Sequence, residues 1–322
     1  MQVTAVIPNW NGSGRLERIM EDLRMQTEAV AETIVVDNGS TDGSADRAER
    51  AGARVIRFPV NRGFTTAVNR GVSDSRTELI AILNNDVQLT AEWLSRLAEV
   101  MRNFDTPFAT GKLLTLARPQ ILDGSFDAIC RGGCSWRCGQ GRSDGPIWSE
   151  PREISFPPFT ALLIRRDFFL SMGGLDERLG SYLEDVDFGL RCASKGYTGR
   201  YVPDAIAYHE GSSTLGRWSP TTVRQIARNQ VLLIAKHYPT SLLIRFGWPI
   251  AIAHLLWGLV ALKHGAGFAW VLGKVDGLRL FAFFRRAGEG IAPVLGSSER
   301  EIKDLQQRTG WDWYWRLYFA LT

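Results

Sequence analysis

The chain has 322 residues, 45% hydrophobic and 22% charged, and 38 Lys and Arg against 34 Asp and Glu give a formal net charge of +4. This composition is ordinary for a globular protein with room for one large α/β domain and an appendage. It argues against a nucleic-acid binder, because the small charge comes with no zinc-finger spacing, aromatic ribonucleoprotein signature or basic recognition helix.

Met1 leads straight into the β-branched stretch at 3–7 with no basic leader or cleavage site, so this part of the chain is expected to stay in the cytoplasm. The first hundred residues alternate short β-branched runs with longer amphipathic ones, the pattern of βαβ units feeding a mostly parallel sheet. Strands are predicted over 3–8, 33–37, 54–58 and 79–83, and helices over 14–25, 44–51, 64–75 and 91–102, with Ser13 and Thr90 as caps of the first and last. Three of the strands run out into polar residues: Pro8-Asn9-Trp10-Asn11, Asp37-Asn38-Gly39-Ser40 and Asn84-Asn85-Asp86. Open α/β sheets bind ligands outside the carboxyl ends of their strands, so these endings are expected to converge.

From 108 to about 152 the pattern turns irregular and Gly-rich and reads as a functional loop. Cys130, Cys134 and Cys138 lie in it, each pair separated by three residues. With Cys192 they read as free thiols of a reducing compartment. A buried strand is expected over 159–165. A polar strand-and-helix segment over 173–208 then ends at His209 and the loop Glu210-Gly211-Ser212-Ser213-Thr214.

The composition shifts near Gln225. The apolar run 246–262 has 17 residues, with Pro249 and His254 inside and Arg245 and Lys263 at its ends. A spanning helix needs roughly 17 to 25 residues, so this one is expected to lie in or dip into one leaflet. Leu280-Phe281-Ala282-Phe283-Phe284-Arg285-Arg286 and Trp311-Asp312-Trp313-Tyr314-Trp315-Arg316 combine aromatic and basic residues as interfacial helices do. The plain alternative is a helical subdomain that packs these aromatics into its own core or against a second copy.

The chemistry is concentrated in a few stretches. Glu184, Asp185 and Asp187 stand within four positions among Leu183, Val186 and Phe188. Carboxylates held against apolar neighbours are costly unless paired or used, and their repulsion raises the proton affinity of one, which suits a general base. An acidic helix start favoured by the helix dipole accounts for Glu184 and Asp185 but not for the apolar neighbours. Asn84-Asn85-Asp86 after a buried strand suits a hard cation such as Mg²⁺ or Mn²⁺, which takes few protein oxygens and fills the rest with phosphate and water. A merely polar strand terminus is the alternative there. The stretch 37–44 closes a strand and opens a helix, so its amides and the Asp37 carboxylate can face a ligand, or it is only an Asp-Gly turn. His209 taken alone reads as a hydrogen-bonded surface residue before it reads as a metal ligand.

Taken in order and spacing, Ile7-Pro8-Asn9-Trp10-Asn11-Gly12, the stretch 37–44, Asn61-Arg62-Gly63-Phe64 with Asn69, Leu83-Asn84-Asn85-Asp86-Val87, Leu183-Glu184-Asp185-Val186-Asp187 and His209 resemble the inverting family-2 glycosyltransferases of the GT-A fold. The likeness is to rhamnosyltransferase-like members that build bacterial cell-surface polysaccharide, and it covers about residues 3 to 240. It implies a Rossmann-like α/β domain over 1–222, with a nucleotide-sugar half to about 115 and an acceptor half from 116; the residues from 223 to 322 are expected, on the aromatic and basic stretches above, to form a helical membrane-interfacial region. It implies that Pro8, Asn9 and Asp37 hold the nucleotide base and ribose, with Trp10, Asn11 and Asn38 also in the nucleotide-sugar site. Arg62, Gly63 and Asn69 would lie near the ribose or diphosphate, and Asn84, Asn85 and Asp86 would complete the donor site. Asp86 matches the last acid of the family's Asp-x-Asp metal motif and His209 its later metal-coordinating histidine, so Mg²⁺ or Mn²⁺ is the implied cofactor. Asn84 departs from the motif's first acid, which implies weaker metal affinity. Asp185 matches the catalytic base, with Thr160 and Glu184 on the acceptor side.

The implied activity is the addition of one sugar to a glycan or lipid-linked glycan at the inner face of the cell membrane, with TDP-rhamnose ahead of UDP-hexoses as donor. A homo-oligomer is left open. A processive synthase would carry several membrane spans and a Trp after Gln225-Ile226-Ala227-Arg228, where Asn229 stands. A nucleotidyltransferase would need a basic Gly-rich loop after the first strand, which Pro8-Asn9-Trp10-Asn11-Gly12 is not. A non-catalytic nucleotide-sugar scaffold would be expected to lack Asp86 or Asp185. Transfer of a UDP-hexose to a polyprenyl-phosphate carrier stays open.

Overall fold

The computed structural model describes residues 1–211, 218–286 and 290–322; Ser212, Ser213 and Thr214 of the loop expected after His209 lie outside the described residues. The chain opens with β1 (Val3–Asn9), α1 (Arg15–Arg24), β2 (Glu32–Asp37), α2 (Ser44–Arg50), β3 (Arg54–Arg57), α3 (Phe64–Asp74) and β4 (Leu79–Leu83). It continues with β5 (Val87–Leu89), α4 (Trp93–Asn103), β6 (Phe108–Thr115), β7 (Arg118–Gly124), β8 (Asp127–Ile129), β9 (Ser135–Arg137), β10 (Arg152–Ile154), β11 (Ala161–Arg165), α5 (Arg166–Ser171), α6 (Glu184–Ala193) and β12 (Gly199–His209). Six helices follow: α7 (Pro220–His237), α8 (Thr240–Arg245), α9 (Gly247–Lys263), α10 (Gly267–Phe284), α11 (Ile291–Thr309) and α12 (Trp313–Leu321).

Two compact units are distinguished. The first, residues 1–126, 139–188 and 197–211, holds the large sheet. Its strand order is β10-β12-β6-β11-β4-β1-β2-β3, with β5 added on β12 and β7 on β6. β1 pairs in parallel with β2 and β4, and β2 with β3, as helical crossovers require. β11 runs antiparallel to both β4 and β6, so the rest of the sheet is mixed.

Strand alternation sets the core. Val3, Ala5 and Ile7 face α1 and α4, where Leu16, Ile19, Met20 and Leu23 pack with Leu94, Leu97 and Met101. Spacings of three and four put those α1 residues on one stripe. Val6 faces the other way, close against Gly71 of α3. With both faces covered, β1 and β4 are buried along their whole length.

The two predicted caps are corrected. Gly14, not Ser13, caps α1, and its N–H donates to the Glu17 carboxylate at 2.6 Å. Ser13 is drawn away, its N–H donating to Asp42 (2.8 Å) and its hydroxyl accepting from Arg47. Glu92 precedes α4, because the Thr90 hydroxyl donates to the Ile206 carbonyl of β12 at 2.9 Å. At both sites a tertiary partner outcompetes the local helix end.

Residues 108–152 are not a loop. β6 lies buried between β12 and β11, β7 folds back on it, β8 and β9 form a hairpin, and β10 pairs with β12. Gly111 looks like a loop glycine in sequence but marks a close approach. β12 bulges past it between Val202 and Ile206, and a Cβ there would come within 1.8 Å of the Ala205 carbonyl oxygen.

The second unit, residues 127–138, 189–196 and 212–322, joins the β8–β9 hairpin to the helices. The hairpin is docked by the Ile129 N–H donating to Ser298 Oγ (2.8 Å) and by the Arg131–Glu299 ion pair (2.8 Å). Cys130, Cys134 and Cys138 are therefore buried free thiols, and burial pushes the Cys130 thiol far up. α10 closes on α7 through Gly273 and Gly277, where Cβ atoms would lie 2.3 to 2.9 Å from the Arg224 and Arg228 carbonyls and from Ala227 and Val231. α9 and α10 form an antiparallel hairpin, with Leu262 against Gly267, Gly258 against Trp270 and His254 against Lys274. No described helix is long and apolar enough to cross a membrane.

Candidate active site

The polar ends of β1, β2 and β4 meet as their sequence predicts. Asn9, in register with Asp37, is 1% exposed. Its Nδ2 donates to Asp37 Oδ1 (3.1 Å) and Ser44 Oγ (2.9 Å), and its Oδ1 accepts from Asn85 Nδ2 (2.9 Å). One buried amide thus ties three strand ends together. Asp37 Oδ2 also accepts the Ser40 N–H (3.1 Å). Pro8 is buried beneath this network and Trp10 half-buried beside it. Asn11, at φ 50, donates its N–H to Ser40 Oγ (2.9 Å) and accepts the Thr41 N–H (2.9 Å).

Asn38 connects this network to α3, donating to the Gly63 carbonyl (3.1 Å) and accepting the Arg62 N–H (3.2 Å). The exposed Arg62 guanidinium lies 5.4 Å from the Phe58 ring centre. Asn69 reaches the other way. Its amide donates to the Leu175 carbonyl (2.8 Å) and Glu177 (3.1 Å) and accepts the Leu175 N–H (2.8 Å), fastening the 175–177 turn to α3.

A second group is gathered by strand pairing. β5 begins one residue after Asp86 and pairs with the end of β12, setting Val87 opposite His209. The Glu210 N–H donates to the Asp86 carbonyl at 3.0 Å. This brings His209 Nε2 to 3.2 Å from Asp86 Oδ1. On its other side His209 Nδ1 lies 2.8 Å from Asp123 Oδ2, on β7. The three side chains are only 9 to 11% exposed. Burial works against a charged imidazole, but the hydrogen bonds to Asp123 and Asp86 outweigh it and hold His209 up at about 10. Asp123 was missed from the sequence, where it sits in the segment read as a loop and carries no motif.

These residues fit a hard divalent cation. Asp86 Oδ1 and His209 Nε2 are close enough to serve one ion, while Asp123 takes the Nδ1–H and fixes the ring, as partners of metal-binding histidines do. Asn84 Oδ1 is buried with no hydrogen-bond partner, two residues before Asp86. The Asn84 N–H donates to the carbonyl of buried Thr160 (2.9 Å), which joins β11's start to this strand end. Among the described residues no group of three or more His, Cys, Asp or Glu could hold a metal ion. Phosphate and water would therefore complete the shell.

Asp185 lies in the first turn of α6, half-buried, with Oδ1 accepting the Val186 N–H (2.8 Å). Glu184 is 7% exposed and Asp187 fully buried. Just before them Tyr182 (φ 69) and Leu183 (φ 67) are consecutive non-glycine residues in the left-handed region. Such backbone costs on the order of 1–3 kcal/mol per residue and persists only where its surroundings dictate it, most often at functional sites. The turn is pinned by the Gly180 carbonyl, which accepts the Thr65 N–H (3.2 Å) at the start of α3. No sequence signal marks this strain, since neither residue type favours it.

Comparison with known proteins follows this geometry. Residues 4–114 match the family model described as Glycosyl transferase family 2, and residues 148–284 that described as Glycosyl transferase family group 2. The N-acetylglucosaminyl-diphospho-decaprenol L-rhamnosyltransferase of Mycobacterium tuberculosis is 29% identical over 248 residues, 67% of this chain and 79% of the relative. The pre-mycofactocin glycosyltransferase of the same organism is 25% identical over 313 residues, 93% of this chain and 62% of the relative. Among solved structures, GalNAc-T7 with UDP, GalNAc and Mn²⁺ aligns with a TM-score of 0.65 at 14% identity, covering 96% of this chain and 58% of that one. The mannosyltransferase PcManGT from Pyrobaculum calidifontis, in complex with GDP-Man and Mn²⁺, aligns at 0.53 and 15%, covering 99% and 86%. At such identities the structural likeness speaks to fold alone: an α/β architecture of the GT-A type.

Proposed function

We propose that this chain, which belongs to the family-2 glycosyltransferases, moves a single sugar with inversion from a nucleotide diphosphate donor to a hydroxyl of a glycan or lipid-linked glycan in cell-surface polysaccharide assembly. Rhamnose from a TDP donor is favoured, because the relative aligned over 67% of this chain is named as an L-rhamnosyltransferase with an N-acetylglucosaminyl-diphospho-decaprenol substrate. That name also supports a lipid-linked acceptor; its presentation at the inner face of the membrane, with the helical region 223–322 as the interfacial part, belongs to the same proposal.

The observation that carries the reading is the Asp86–His209–Asp123 constellation at the carboxyl ends of the sheet. Asp86 and His209 would hold Mg²⁺ or Mn²⁺, with Asp123 orienting the imidazole; structural neighbours of the same fold were solved with Mn²⁺. A bound divalent cation supplies positive charge against which a nucleoside diphosphate departs. Pro8, Asn9, Trp10, Asn11, Asp37 and Asn38 shape the nucleoside end, Arg62, Gly63 and Asn69 the ribose and diphosphate side, and Asn84 and Asn85 the approach to Asp86. Asp185 accepts the proton of the acceptor hydroxyl, whose oxygen attacks the anomeric carbon opposite the leaving diphosphate, so one in-line displacement inverts the centre. Thr160 and Glu184 line the acceptor side.

General-base catalysis contributes about 10²- to 10⁴-fold, so Asp185→Asn is expected to lower kcat by that range while leaving donor binding intact. Release of nucleoside diphosphate from TDP- and UDP-sugars, with Mn²⁺, Mg²⁺ or chelator, measures it. A variant that keeps its rate removes Asp185 from the chemistry, and no turnover of any donor by the wild type removes the transferase reading.

A further inference from the structure

The helical unit carries a face that includes none of the residues assigned above to the transfer site. Every exposed residue of the α9–α10 hairpin from 247 to 262 and from 267 to 278 is glycine or apolar. On α9 these include Trp248, Leu255, Leu259 and Leu262, with Trp248 63% and Leu262 66% exposed. Their spacings of seven, four and three put them on one stripe of the helix. On α10 Phe268, Val271, Val275 and Leu278 repeat at three, four and three, with Phe268 76% and Leu278 64% exposed. The polar groups of the hairpin turn the other way. Lys274 Nζ donates to Gln230 Oε1 of α7 (2.7 Å) and lies 2.7 Å from His254 Nδ1, beside the glycines that close α10 on α7. A hairpin that buries its polar side chains and presents hydrocarbon outward inverts the pattern of a water-facing helix, and a continuous apolar patch of this kind marks an interaction surface.

Charge selects the occupant. Residues 212–322 hold 14 Lys and Arg against 6 Asp and Glu, whereas residues 1–211 hold 24 against 28. The apolar stripes end in cations: exposed Arg245 precedes α9, exposed Lys263 ends it, and exposed Arg279 follows Leu278. Two copies apposed through this face would bring like charges together, while an anionic bilayer surface attracts each of them. The apolar length of α9, roughly 24 Å at about 1.5 Å per residue, falls short of the roughly 30 Å hydrocarbon core. The hairpin therefore suits the interface and not a span.

We propose that the exposed face of the α9–α10 hairpin is the docking surface for an anionic phospholipid leaflet, with Trp248, Leu262, Phe268 and Leu278 inserted among the acyl chains and Arg245, Lys263 and Arg279 on the lipid phosphates. This deepens the reading of a lipid-linked acceptor given above and rests on it.

Flotation of the full chain with vesicles of phosphatidylcholine alone, or mixed with phosphatidylglycerol, tests it. Binding to the phosphatidylglycerol vesicles is expected, weakened by salt and reduced at least tenfold by Leu255→Asp with Phe268→Asp. Lys263→Glu with Arg279→Glu, at surface positions where folding is not at stake, is expected to remove the preference for anionic vesicles. Absence of vesicle binding, equal binding to both vesicle types, or a dimer in sedimentation equilibrium that Phe268→Asp dissolves while vesicles are ignored would each overturn the proposal. Vesicle binding needs neither donor nor metal, so its failure leaves the transfer assay with Asp185→Asn untouched, and the reverse holds.

Discussion

Two half-buried histidines, one in each unit, are pushed in opposite directions by their neighbours. His209 lies between Asp86 and Asp123 and is held up at about 10 although burial opposes its charge. His254 lies against the Lys274 ammonium, and burial together with that cation pushes it well below its ordinary value. Burial in turn pushes Lys274 down to about 8. Low polarity acts the same way on both imidazoles, so the sign of the neighbouring charge decides the outcome. Position completes the contrast. The carboxylates around His209 stand at strand ends, the edge at which open α/β sheets take ligands, whereas the His254–Lys274–Gln230 group ties α9, α10 and α7 together beside glycine-mediated helix packing. An imidazole between two carboxylates is ready to exchange its proton for a metal cation; the one beside an ammonium is not.

The contrast breaks if the two histidines prove interchangeable in effect. His209→Gln is expected to lower Mn²⁺-dependent transfer by more than about 100-fold, beyond the range for loss of an outer partner of a metal ligand. His254→Gln is expected to leave it unchanged. Steady-state kinetics across a Mn²⁺ series compares them, and equal losses would undo the division between a functional and a structural histidine. Asp123→Asn sharpens the same point. Mn²⁺ affinity, read from the paramagnetic resonance of the free ion, should fall roughly 10- to 100-fold with the circular dichroism spectrum unchanged. Undiminished affinity would leave Asp123 a packing role only.

A smaller effect belongs to the helical unit. Lys274 has its folded value near 8 against the ordinary 10.5, so between these the unfolded chain binds more protons and stability rises with pH through that window. The Lys274→Met variant lacks this term. Relative to it, the wild type is expected to gain on the order of 2 kcal/mol between about pH 7.5 and 9.5, at about 1.36 kcal/mol per unit of separation. Urea unfolding of both proteins at the two pH values measures the difference, and a constant gap would show that the ammonium keeps its water.

β1 to β4 and their helices were legible to within a residue or two because each reports a local period: alternation in the strands, and the three-and-four spacing of Leu16, Ile19, Met20 and Leu23 in α1. The convergence of Asn9, Asp37 and Asn85 was legible for the related reason that polar strand ends in such sheets share one edge. β6 and β7 were not legible. Their glycines imitate loop composition, and Gly111 is explained only by the bulge of β12 lying against it. Ser13 and Thr90 failed as caps for the same kind of reason, since Asp42, Arg47 and Ile206 are distant in sequence.

By itself the amino-acid sequence determined the parallel half of the sheet, the polar strand ends, the acidic start of α6 and the apolar character of 246–262, all set by neighbours along the chain. Only the tertiary structure decided that Asp123 joins His209 and Asp86, that Tyr182 and Leu183 adopt left-handed backbone ahead of Asp185, and which side of the α9–α10 hairpin faces outward. Those outcomes depend on pairing between segments far apart in sequence, where hydrogen bonds and close contacts override local preference and leave no local trace.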